Sequence, residues 1–214
     1  MKDCQSVLLL ANGDPPPREL AQRTATDYPF VIAVDGAVRF LQELGLQADL
    51  VCGDFDSIPE GARALQPNAE WAATPDQYHT DLEKAILLAL QRGARRIALL
   101  GAWGGRPDHA LAACVLLLRY ARQCELKLIT PGAVLRPLAA PCTLELPCRP
   151  GDIVSLICFA PVTVTLQGVQ WELKQEELQP SSQPVSNRAV SSRVSVTAHQ
   201  GEMLACCLQP EAFA

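Results

Sequence analysis

The sequence predicts an α/β protein with a doubly wound, mostly parallel sheet in its amino-terminal part, followed by an all-β sandwich. Two observations predict this fold. Short apolar runs alternate with helical patterns as far as residue 130, and only β-type runs follow beyond it. Strands that alternate with helices favour a parallel sheet, and near-continuous apolar strands suit a sheet that is covered on both faces. We therefore expect two domains, residues 1–130 and 131–214.

In the first domain, the length and period of each apolar run separate strands from helices, and glycines mark their ends. The predicted strands are SVLLLANG (6–13), FVIAVDGA (30–37), ADLVCGDFDS (48–57), RRIALLGAWGG (95–105) and LKLITPG (126–132). The predicted helices are RELAQRTA (18–25), AVRFLQELG (37–45), YHTDLEKAILLALQRG (78–93) and DHALAACVLLLRYAR (108–122).

In the second domain, β-rich runs are divided by Gly, Pro and Ser, and no long helical pattern occurs. The predicted strands lie within CTLELPC (142–148), DIVSLICFA (152–160), VTVTLQGVQWEL (162–173), RVSVTA (193–198) and EMLACCL (202–208). The segment LQPSSQPVSN (178–187) is a polar loop with two prolines. This pattern is typical of a small sandwich or barrel.

The composition limits the class of protein. Hydrophobic residues make up 49% of the chain and charged residues 19%, which suffices for a packed core and is too apolar for disorder. The net charge is −5 and no basic block occurs, so nothing favours binding to nucleic acid. Gly, Arg or Pro interrupts the apolar stretches well before they reach the length of a membrane span, so we expect no membrane association.

Nine cysteines are present, without a CxxC pair or a Cys/His cluster at zinc spacing. Most of them lie inside apolar runs, where free cysteine behaves as a small buried hydrophobe. The count is odd and no signal-peptide pattern is present, so we expect reduced thiols in a cytoplasmic protein. A disulfide framework stays open as the alternative.

Three carboxylates follow predicted strands of the first domain. Asp35 ends the second strand, and Asp54 and Asp56 end the third. Ligands of an open parallel sheet bind just outside the carboxyl ends of its strands, so these acids should converge on one rim. Two carboxylates that are separated only by Phe55 repel each other, and a divalent cation relieves that repulsion. Mg²⁺ takes oxygen ligands and usually keeps substrate phosphates among them, so the pattern favours a magnesium site.

Two further acids lie at predicted helix starts, and each has two interpretations. Asp81 opens the helix at 78–93 and can reach the same rim, whereas Asp108 follows the glycine-rich exit of the fourth strand. Either residue can instead be structural, since an acid is favourable in the first turn of a helix and Asp108 suits an N-cap. The sequence leaves both interpretations open.

A glycine-rich turn and two cations favour phosphate binding. The segment GAWGGRPDH (101–109) places two glycines directly before Arg106. Glycines let backbone N–H groups approach a phosphate, and an arginine fork can hold it. Lys84 lies one turn after Asp81 on the same helix face, so it contacts either a phosphate or simply that carboxylate.

Six motifs follow one another between residues 35 and 187. They are DGA (35–37), GDFDS (53–57), TPDQYHTDLEKA (74–85), GGRPDH (104–109), GVQWEL (168–173) and VSN (185–187). In this order they resemble the thiamine pyrophosphokinase family, and the resemblance covers both predicted domains. Each motif alone would be too short to identify a family.

The resemblance implies transfer of pyrophosphate from ATP to the hydroxyl of thiamine, which gives thiamine diphosphate and AMP and requires Mg²⁺. It implies that residues 1–130 form the ATP- and metal-binding catalytic domain. It also implies that residues 131–214 form a β-sandwich that binds thiamine and dimerises. The active sites of the implied homodimer lie between its subunits.

The resemblance also assigns roles to single residues through their places in the motifs. The implied metal ligands are Asp35, Asp54, Asp56 and Asp81. The implied catalytic residues are Asp56, Asp81, Gln77, Lys84 and Asp108. The implied nucleotide-binding residues are Asn12, Gly13, Asp35, Gly36, Lys84, Gly104, Gly105, Arg106 and Asp108. The implied thiamine-binding residues are Gln77, Trp171, Ser186 and Asn187, with Trp171 stacked on the aminopyrimidine.

Several alternatives stay open at this level. Asp56, Asp81 and Asp108 are all candidates to accept or orient the proton of the hydroxyl. Trp171 suits a core position equally well. A magnesium-dependent phosphohydrolase, with Asp54 as nucleophile and Asp56 as acid and base, would explain the carboxylate pair but leave the β-domain without a role. A non-catalytic carrier of thiamine or nucleotide is the third hypothesis.

Overall fold

The computed structural model describes residues 3–56, 58 and 60–209. Contacts between Cα atoms divide the chain into two units. The first contains the chain up to Leu116 together with Gln123–Pro131, and the second contains Leu117–Arg122 together with the chain from Gly132 onward. Among the described residues, no helix combines the length and the apolar character that are needed to cross a membrane.

Parallel strands form the sheet of the first unit. They are β1 (Ser6–Leu10), β2 (Phe30–Val34), β3 (Leu50–Gly53), β4 (Glu70–Ala73), β5 (Arg96–Leu100) and β6 (Glu125–Ile129). Their spatial order is β6-β5-β1-β2-β3-β4. The chain therefore winds outward from β1 to β4 and then returns to place β5 on the other side of β1. This reversal creates a topological switch point between β1 and β5, where open α/β sheets bind ligands.

Helices connect these strands. They are α1 (Arg18–Asp27), α2 (Leu41–Leu44), α3 (Ala62–Leu65), α4 (Asp81–Gln91) and α5 (Pro107–Tyr120), and a 3₁₀-helix covers Asp35–Phe40. One core packs β1 and β2 against the first two helices, with Leu8, Leu10, Val31, Ala21 and Leu41 among its fully buried or nearly buried members. The helix α4 packs against β1, β2 and β3. Because the strands are covered, their apolar runs are almost continuous, as the sequence predicts.

The element boundaries differ from the prediction where exposed residues begin. The predicted strand at 48–57 ends at Gly53, because Asp54 and Asp56 lie outside the ladder and are exposed. Ser57, the last residue of that segment, lies outside the described residues. The predicted helix at 37–45 starts two residues earlier as a 3₁₀-helix. The strand β4 was not predicted, because its sequence EWAA is short and only partly buried at the edge of the sheet.

Antiparallel strands form the second unit. They are β7 (Ala133–Ala139), β8 (Cys142–Pro147), β9 (Ile153–Cys158), β10 (Val162–Gln167), β11 (Leu173–Leu178), β12 (Asn187–Arg188), β13 (Arg193–Gln200) and β14 (Glu202–Leu208). One sheet has the order β12-β9-β14-β7 and the other β11-β10-β13-β8. Alternate residues of both sheets, including Leu156, Val164, Val196 and Met203, form one buried cluster. The two sheets therefore enclose a common core, as in a sandwich.

The predicted fold class is confirmed, with a parallel α/β sheet first and an antiparallel β-rich part after it. Three strands of the second part, β7, β11 and β12, were not predicted. The strand β12 has only two residues and begins at the last residue of the segment 178–187, which was predicted as a loop. Arg136 and Pro137 interrupt the apolar pattern of β7, and the sequence LKQEEL of β11 has four exposed polar residues in a row. Both strands therefore lack the alternation by which a half-buried strand is recognised.

Candidate active site

A cavity of about 500 Å³ lies in the first unit, within the size range of small-molecule sites. Its lining comes from the segments that follow β1, β2 and β5, from the start of α4 and from the first half of α5. It therefore occupies the switch point between β1 and β5, at the carboxyl ends of the strands. Of the residues singled out in the sequence, the cavity brings together Asn12, Gly13, Asp35, Asp81, Gly104, Gly105 and Arg106.

Main-chain contacts hold the exits of β1 and β5 close together. The N–H of Ala11 donates to the carbonyl of Leu100 at 2.8 Å, and the N–H of Gly13 donates to that of Gly101 at 2.8 Å. A Cβ at Gly13 would lie 2.5 Å from the same Gly101 oxygen, so a larger residue there would push the segments apart. This part of the cavity wall therefore consists of backbone, which a phosphate can approach closely.

Asn12 contacts the segment that follows β2. Its side-chain nitrogen is 2.5 Å from the position that a Cβ at Gly36 would occupy, so the amide packs directly on that glycine. Gly36 itself is buried and is absent from the described cavity lining. The contact explains why a glycine follows Asp35: a side chain there would displace Asn12 from the cavity.

Asp35 is a buried carboxylate in the cavity wall. It is 7% exposed, and its Oδ1 has no hydrogen-bond partner among the residues that the structure describes. Its φ of 48° lies in the left-handed region, and Gly53 at the end of β3 packs against it, since a Cβ there would be 2.8 Å from the Asp35 Cβ. Burial of an unpaired carboxylate oxygen is unfavourable unless a ligand compensates it. A cation would compensate this oxygen, so the residues present fit a bound Mg²⁺.

Asp81 reaches the cavity from the first turn of α4. Thr80 is the N-cap, and its hydroxyl accepts from the N–H of Glu83 at 3.3 Å. The Nζ of Lys84 is 3.0 Å from the Asp81 Oδ1, and Lys84 itself is 8% exposed. Both interpretations of Asp81 therefore hold at once: it begins a capped helix and it presents a carboxylate to the cavity. Lys84 does not line the cavity.

The carboxylates of Asp35 and Asp81 both influence the pKa of one thiol, that of Cys52 in β3. The pKa of the buried Cys52 thiol is raised to about 12, first by burial and then by the carboxylates of Asp81 and Asp35. The thiol therefore stays protonated at neutral pH. Lys84 and Arg92 act in the opposite direction, so two acids that are 46 positions apart in the sequence and these two cations all influence the same thiol.

Asp54 and Asp56 follow β3 on an exposed turn and are not among the cavity-lining residues. The N–H of Asp56 donates to the Asp54 Oδ1 at 3.2 Å. Phe55 between them has φ 71° and packs edge-on against Trp71, with ring centroids 5.7 Å apart, while the Arg63 guanidinium lies 4.5 Å from the Trp71 ring. The inward Phe55 therefore directs the two carboxylates to solvent, one and three residues after the glycine that contacts Asp35.

Gln77 lies on the exposed segment between β4 and α4, outside the described cavity lining. Its Nε2 is 3.4 Å from the carbonyl of Pro75. The segment is fixed by Asp76, which accepts from the N–H of Tyr78 at 2.8 Å and forms a short contact with the His79 ring. The hydrogen bond from His79 lowers the pKa of Asp76, and that from Tyr78 adds to the effect. Tyr78 is 96% exposed, so the segment presents an aromatic ring to solvent.

Arg106 and Asp108 form an exposed ion pair at the start of α5. The Arg106 Nε is 3.1 Å from the Asp108 Oδ1, and its Nη2 is 2.6 Å from the Oδ2. This fork lowers the pKa of Asp108 to about 2. Arg106 lines the cavity and Asp108 does not, so the aspartate serves to orient the guanidinium.

The cavity also contains polar side chains that the sequence analysis did not assign. They are Asp14, Arg39, Thr80 and His109. Asp14 packs so closely on Gly104 that a Cβ there would overlap its carboxylate. Its position in the sequence, directly after Asn12 and Gly13, could have indicated that Asp14 belongs to the same site. Arg39 lies four residues after Asp35 in the same 3₁₀-helix, but an exposed arginine on a helix gives no signal in the sequence.

In the second unit, Asn187 and Trp171 are held together. Asn187 is 9% exposed; its Oδ1 accepts from the N–H of Trp171 at 3.1 Å, and its Nδ2 donates to the Trp171 carbonyl at 2.7 Å. The indole is 58% exposed, so the structure excludes the core position that the sequence left open for this tryptophan. Ser186 is exposed, has φ 67°, and donates its N–H to the Ser155 hydroxyl at 3.0 Å.

A cavity with acids, arginines and glycine backbone at the switch point of a parallel sheet, followed by a β-sandwich, defines a two-domain enzyme that handles phosphate groups. Family models for the thiamin pyrophosphokinase catalytic domain and vitamin B1 binding domain match residues 21–129 and 142–202. The chain belongs to the thiamin pyrophosphokinase family. The resemblance inferred from the motifs is confirmed, and the phosphohydrolase alternative is not favoured.

Solved structures of thiamin pyrophosphokinases share this fold. The enzyme from Geobacillus thermodenitrificans is 26% identical with a TM-score of 0.80, over 95% of this chain and 97% of that one. The Bacillus subtilis enzyme is 23% identical with a TM-score of 0.82, over 95% and 99%. The yeast enzyme is 17% identical with a TM-score of 0.80, over 99% and 89%. A comparison with curated proteins found no match.

We predict that Asp35→Asn lowers turnover at least about 100-fold without lowering the free energy of unfolding. Asparagine has the same shape and tolerates a positive φ, but it removes the charge from the unpaired oxygen. Turnover of ATP with thiamine and the urea midpoint are the two measurements.

The matched control is Asp49→Ala at the opposite end of β3. The Asp49 Oδ2 accepts from the N–H of Val31 at 2.9 Å, so its loss should lower the free energy of unfolding by about 1–3 kcal/mol and leave turnover intact. If Asp35→Asn behaved like this control, Asp35 would be a structural residue.

Proposed function

We propose that the cavity of the first unit binds ATP and Mg²⁺, and that pyrophosphate passes there from ATP to the hydroxyl of thiamine. The observation that carries this proposal is the buried Oδ1 of Asp35, which has no hydrogen-bond partner among the described residues and lies in a cavity with a backbone wall. In the reaction the hydroxyl oxygen attacks the β-phosphorus, and the bond from that phosphorus to the oxygen of AMP breaks. Catalysis of such a transfer consists mainly of positioning and charge stabilisation.

The proposed ligands of Mg²⁺ are Asp35 and Asp81, together with Asp54 and Asp56 from the neighbouring turn. Asp35 and Asp81 line the cavity, whereas the turn begins directly after Gly53, which packs on Asp35. When bound, Mg²⁺ neutralises negative charge on the phosphate oxygens. The four aspartates would hold the ion beside the phosphates, and the positive charge of the ion would offset the repulsion between these aspartates and the nucleotide.

The proposed nucleotide-binding groups are the residues at the exits of β1, β2 and β5. Those that line the cavity are Asn12, Gly13, Asp35, Gly104, Gly105 and Arg106, to which the cavity adds Arg39, and Gly36 contributes by packing against Asn12. The chain carries a net charge of −5, so attraction of a triphosphate depends on these local cations and on the metal. Lys84 acts through its contact with Asp81, which it orients.

The hydroxyl proton has three candidate acceptors in the carboxylate set. The low pKa of Asp108, caused by the Arg106 fork, makes it a weak base at neutral pH. We therefore assign the orientation of the hydroxyl to Asp56 or Asp81. Gln77, on the exposed segment before α4, is proposed to contact the substrate. Asp108 is assigned to the placement of Arg106.

The proposed thiamine site is built on Trp171, Ser186 and Asn187. The exposed indole offers a flat face to the aminopyrimidine, and its backbone is fixed at both the N–H and the carbonyl by the buried Asn187. The match of a vitamin B1 binding model to residues 142–202 supports this assignment for the domain at 131–214. The proposed compartment is the cytoplasm, since the cysteines all lie in the described part of the chain and no disulfide joins them there.

The decisive experiment follows the products of ATP with Mg²⁺, in the presence and absence of thiamine. We expect AMP and thiamine diphosphate in equal amounts, and AMP only when both thiamine and Mg²⁺ are present. Release of inorganic phosphate without thiamine would instead indicate a phosphohydrolase. Binding of thiamine without turnover, unaffected by Mg²⁺, would indicate a carrier.

We predict that Trp171→Ala raises the KM for thiamine at least about tenfold, because stacking of the indole on the aminopyrimidine, worth about 1.5 kcal/mol, is lost. The KM for ATP should stay unchanged, because the proposed nucleotide site lies in the first unit. Steady-state kinetics with either substrate varied would measure this. The matched control is Phe159→Ala, another half-exposed aromatic of the second unit. Equal losses for both substrates in Trp171→Ala would show that the residue supports the fold instead.

The proposed assembly is a homodimer with active sites between the subunits. Leu111 and Val115 are 62% and 56% exposed and lie one turn apart on α5, so they form an apolar face that a second chain can cover. We predict that Leu111→Glu shifts the protein to monomers in sedimentation velocity, whereas Leu65→Glu, at an equally exposed leucine of α3, does not. A wild-type protein that sediments as a single chain would contradict the proposal.

A further inference from the structure

Two cysteines and one aspartate converge in the second unit, outside the proposed active site. The sulfurs of Cys148 and Cys207 are 3.5 Å apart, and one carboxylate oxygen of Asp152 lies within 4.8 Å of both. The three residues come from the end of β8, the turn before β9 and the strand β14. Because Cys207 is 59 positions away from Cys148, the sequence spacing gave no sign of the cluster.

The separation of the two sulfurs suits a shared metal ion. A disulfide requires about 2.05 Å between the sulfurs, and both cysteines are free. Two thiolates on a tetrahedral Zn²⁺, with bonds of about 2.3 Å, lie about 3.8 Å apart. The observed 3.5 Å is close to this value, so the ligands need to move only slightly.

Asp152 is placed as a metal-binding carboxylate usually is. It is 7% exposed, and its Oδ2 accepts from the N–H of Arg149 at 2.7 Å, which fixes the carboxylate plane. Hydrogen bonds of this kind commonly orient carboxylates that bind metals through the other oxygen. The backbone on both sides is also held, since the N–H of Asp152 donates to the Arg149 carbonyl and its own carbonyl accepts from the N–H of Ala189.

The cysteines are fixed in the same way. Cys148 donates its N–H to the carbonyl of Ser192, and Cys207 lies in β14 between its partners Val134 of β7 and Val154 of β9. Both cysteines are half-buried, so an ion can reach the sulfurs and a water molecule can complete the coordination. The cluster therefore has preformed ligands and an open fourth position.

We propose that Cys148, Cys207 and Asp152 form a binding site for a thiophilic divalent cation of the zinc class. The ion would link the end of β8 and the turn before β9 to β14, and so stabilise this part of the β-sandwich. This site differs from the proposed magnesium site in its soft sulfur ligands, which Mg²⁺ does not favour. Its existence does not depend on the proposed reaction.

The test is a titration of the full-length, fully reduced protein with Co²⁺ in the presence of excess Mg²⁺, which occupies the carboxylate cavity. We expect a thiolate-to-cobalt charge-transfer band that saturates at one ion per chain and disappears when Zn²⁺ is added. Cys148→Ser and Cys207→Ser should each abolish the band and Asp152→Asn should weaken it. Cys142→Ser, at an exposed cysteine of the same unit, should leave it unchanged.

A second measurement uses only the wild-type protein and so does not depend on the folding of variants. Iodoacetamide should modify Cys148 and Cys207 more slowly when Zn²⁺ is present, while the rate at Cys142 stays the same, as followed by mass spectrometry. The proposal is overturned if Zn²⁺ protects neither residue, or if the reduced protein shows no charge-transfer band. It is also overturned if the two sulfurs are found in a disulfide after purification in reductant.

Discussion

The parallel pairing of β1 with β5 is the interaction on which the proposed active site depends. Along the chain, β2, β3 and β4 come first and lie on one side of β1, and β5 then pairs with β1 on its other side. Hydrogen bonds continue the pairing past the strand ends, from Ala11 to Leu100 and from Gly13 to Gly101. The two exits therefore leave the sheet side by side, and the space between them and the start of α4 becomes the cavity.

Charges around this cavity largely cancel in pairs. Lys84 contacts Asp81 at 3.0 Å, and Arg106 is held by both oxygens of Asp108. A triphosphate must therefore compete with carboxylates for these cations. Asp35 differs, since its Oδ1 has no partner in the described part of the chain. Under the proposed function, this balance makes binding of a strongly anionic nucleotide by an acidic protein depend on a divalent cation.

The sequence sufficed to predict the fold class and much of the cavity, because both follow from strong local patterns. Apolar strands, helix periods and glycine turns define the parallel sheet, and a parallel sheet places the residues after β1, β2 and β5 at one rim. What it could not predict depends on contacts between distant residues. The outward direction of Asp54 and Asp56 is set by Phe55 on Trp71, and the cluster of Cys148 with Cys207 is set by strand order in the sandwich. The edge strand β4 was missed because half-exposed residues lack a clear period.

The two hydrogen bonds between the Asn187 side chain and the Trp171 main chain separate the shape of the loop from the side chain that the loop presents. The hydrogen bonds from the Asn187 side chain to position 171 go to the main-chain N–H and carbonyl, and its Oδ1 also accepts from the N–H of Arg188. The loop geometry is thus independent of which side chain projects from it. A single codon change at position 171 can alter the surface offered to a ring-shaped substrate while the loop keeps its shape, whereas a change at position 187 would release the loop itself. In the proposed thiamine site, a change of substrate preference would therefore begin at position 171, with position 187 held constant.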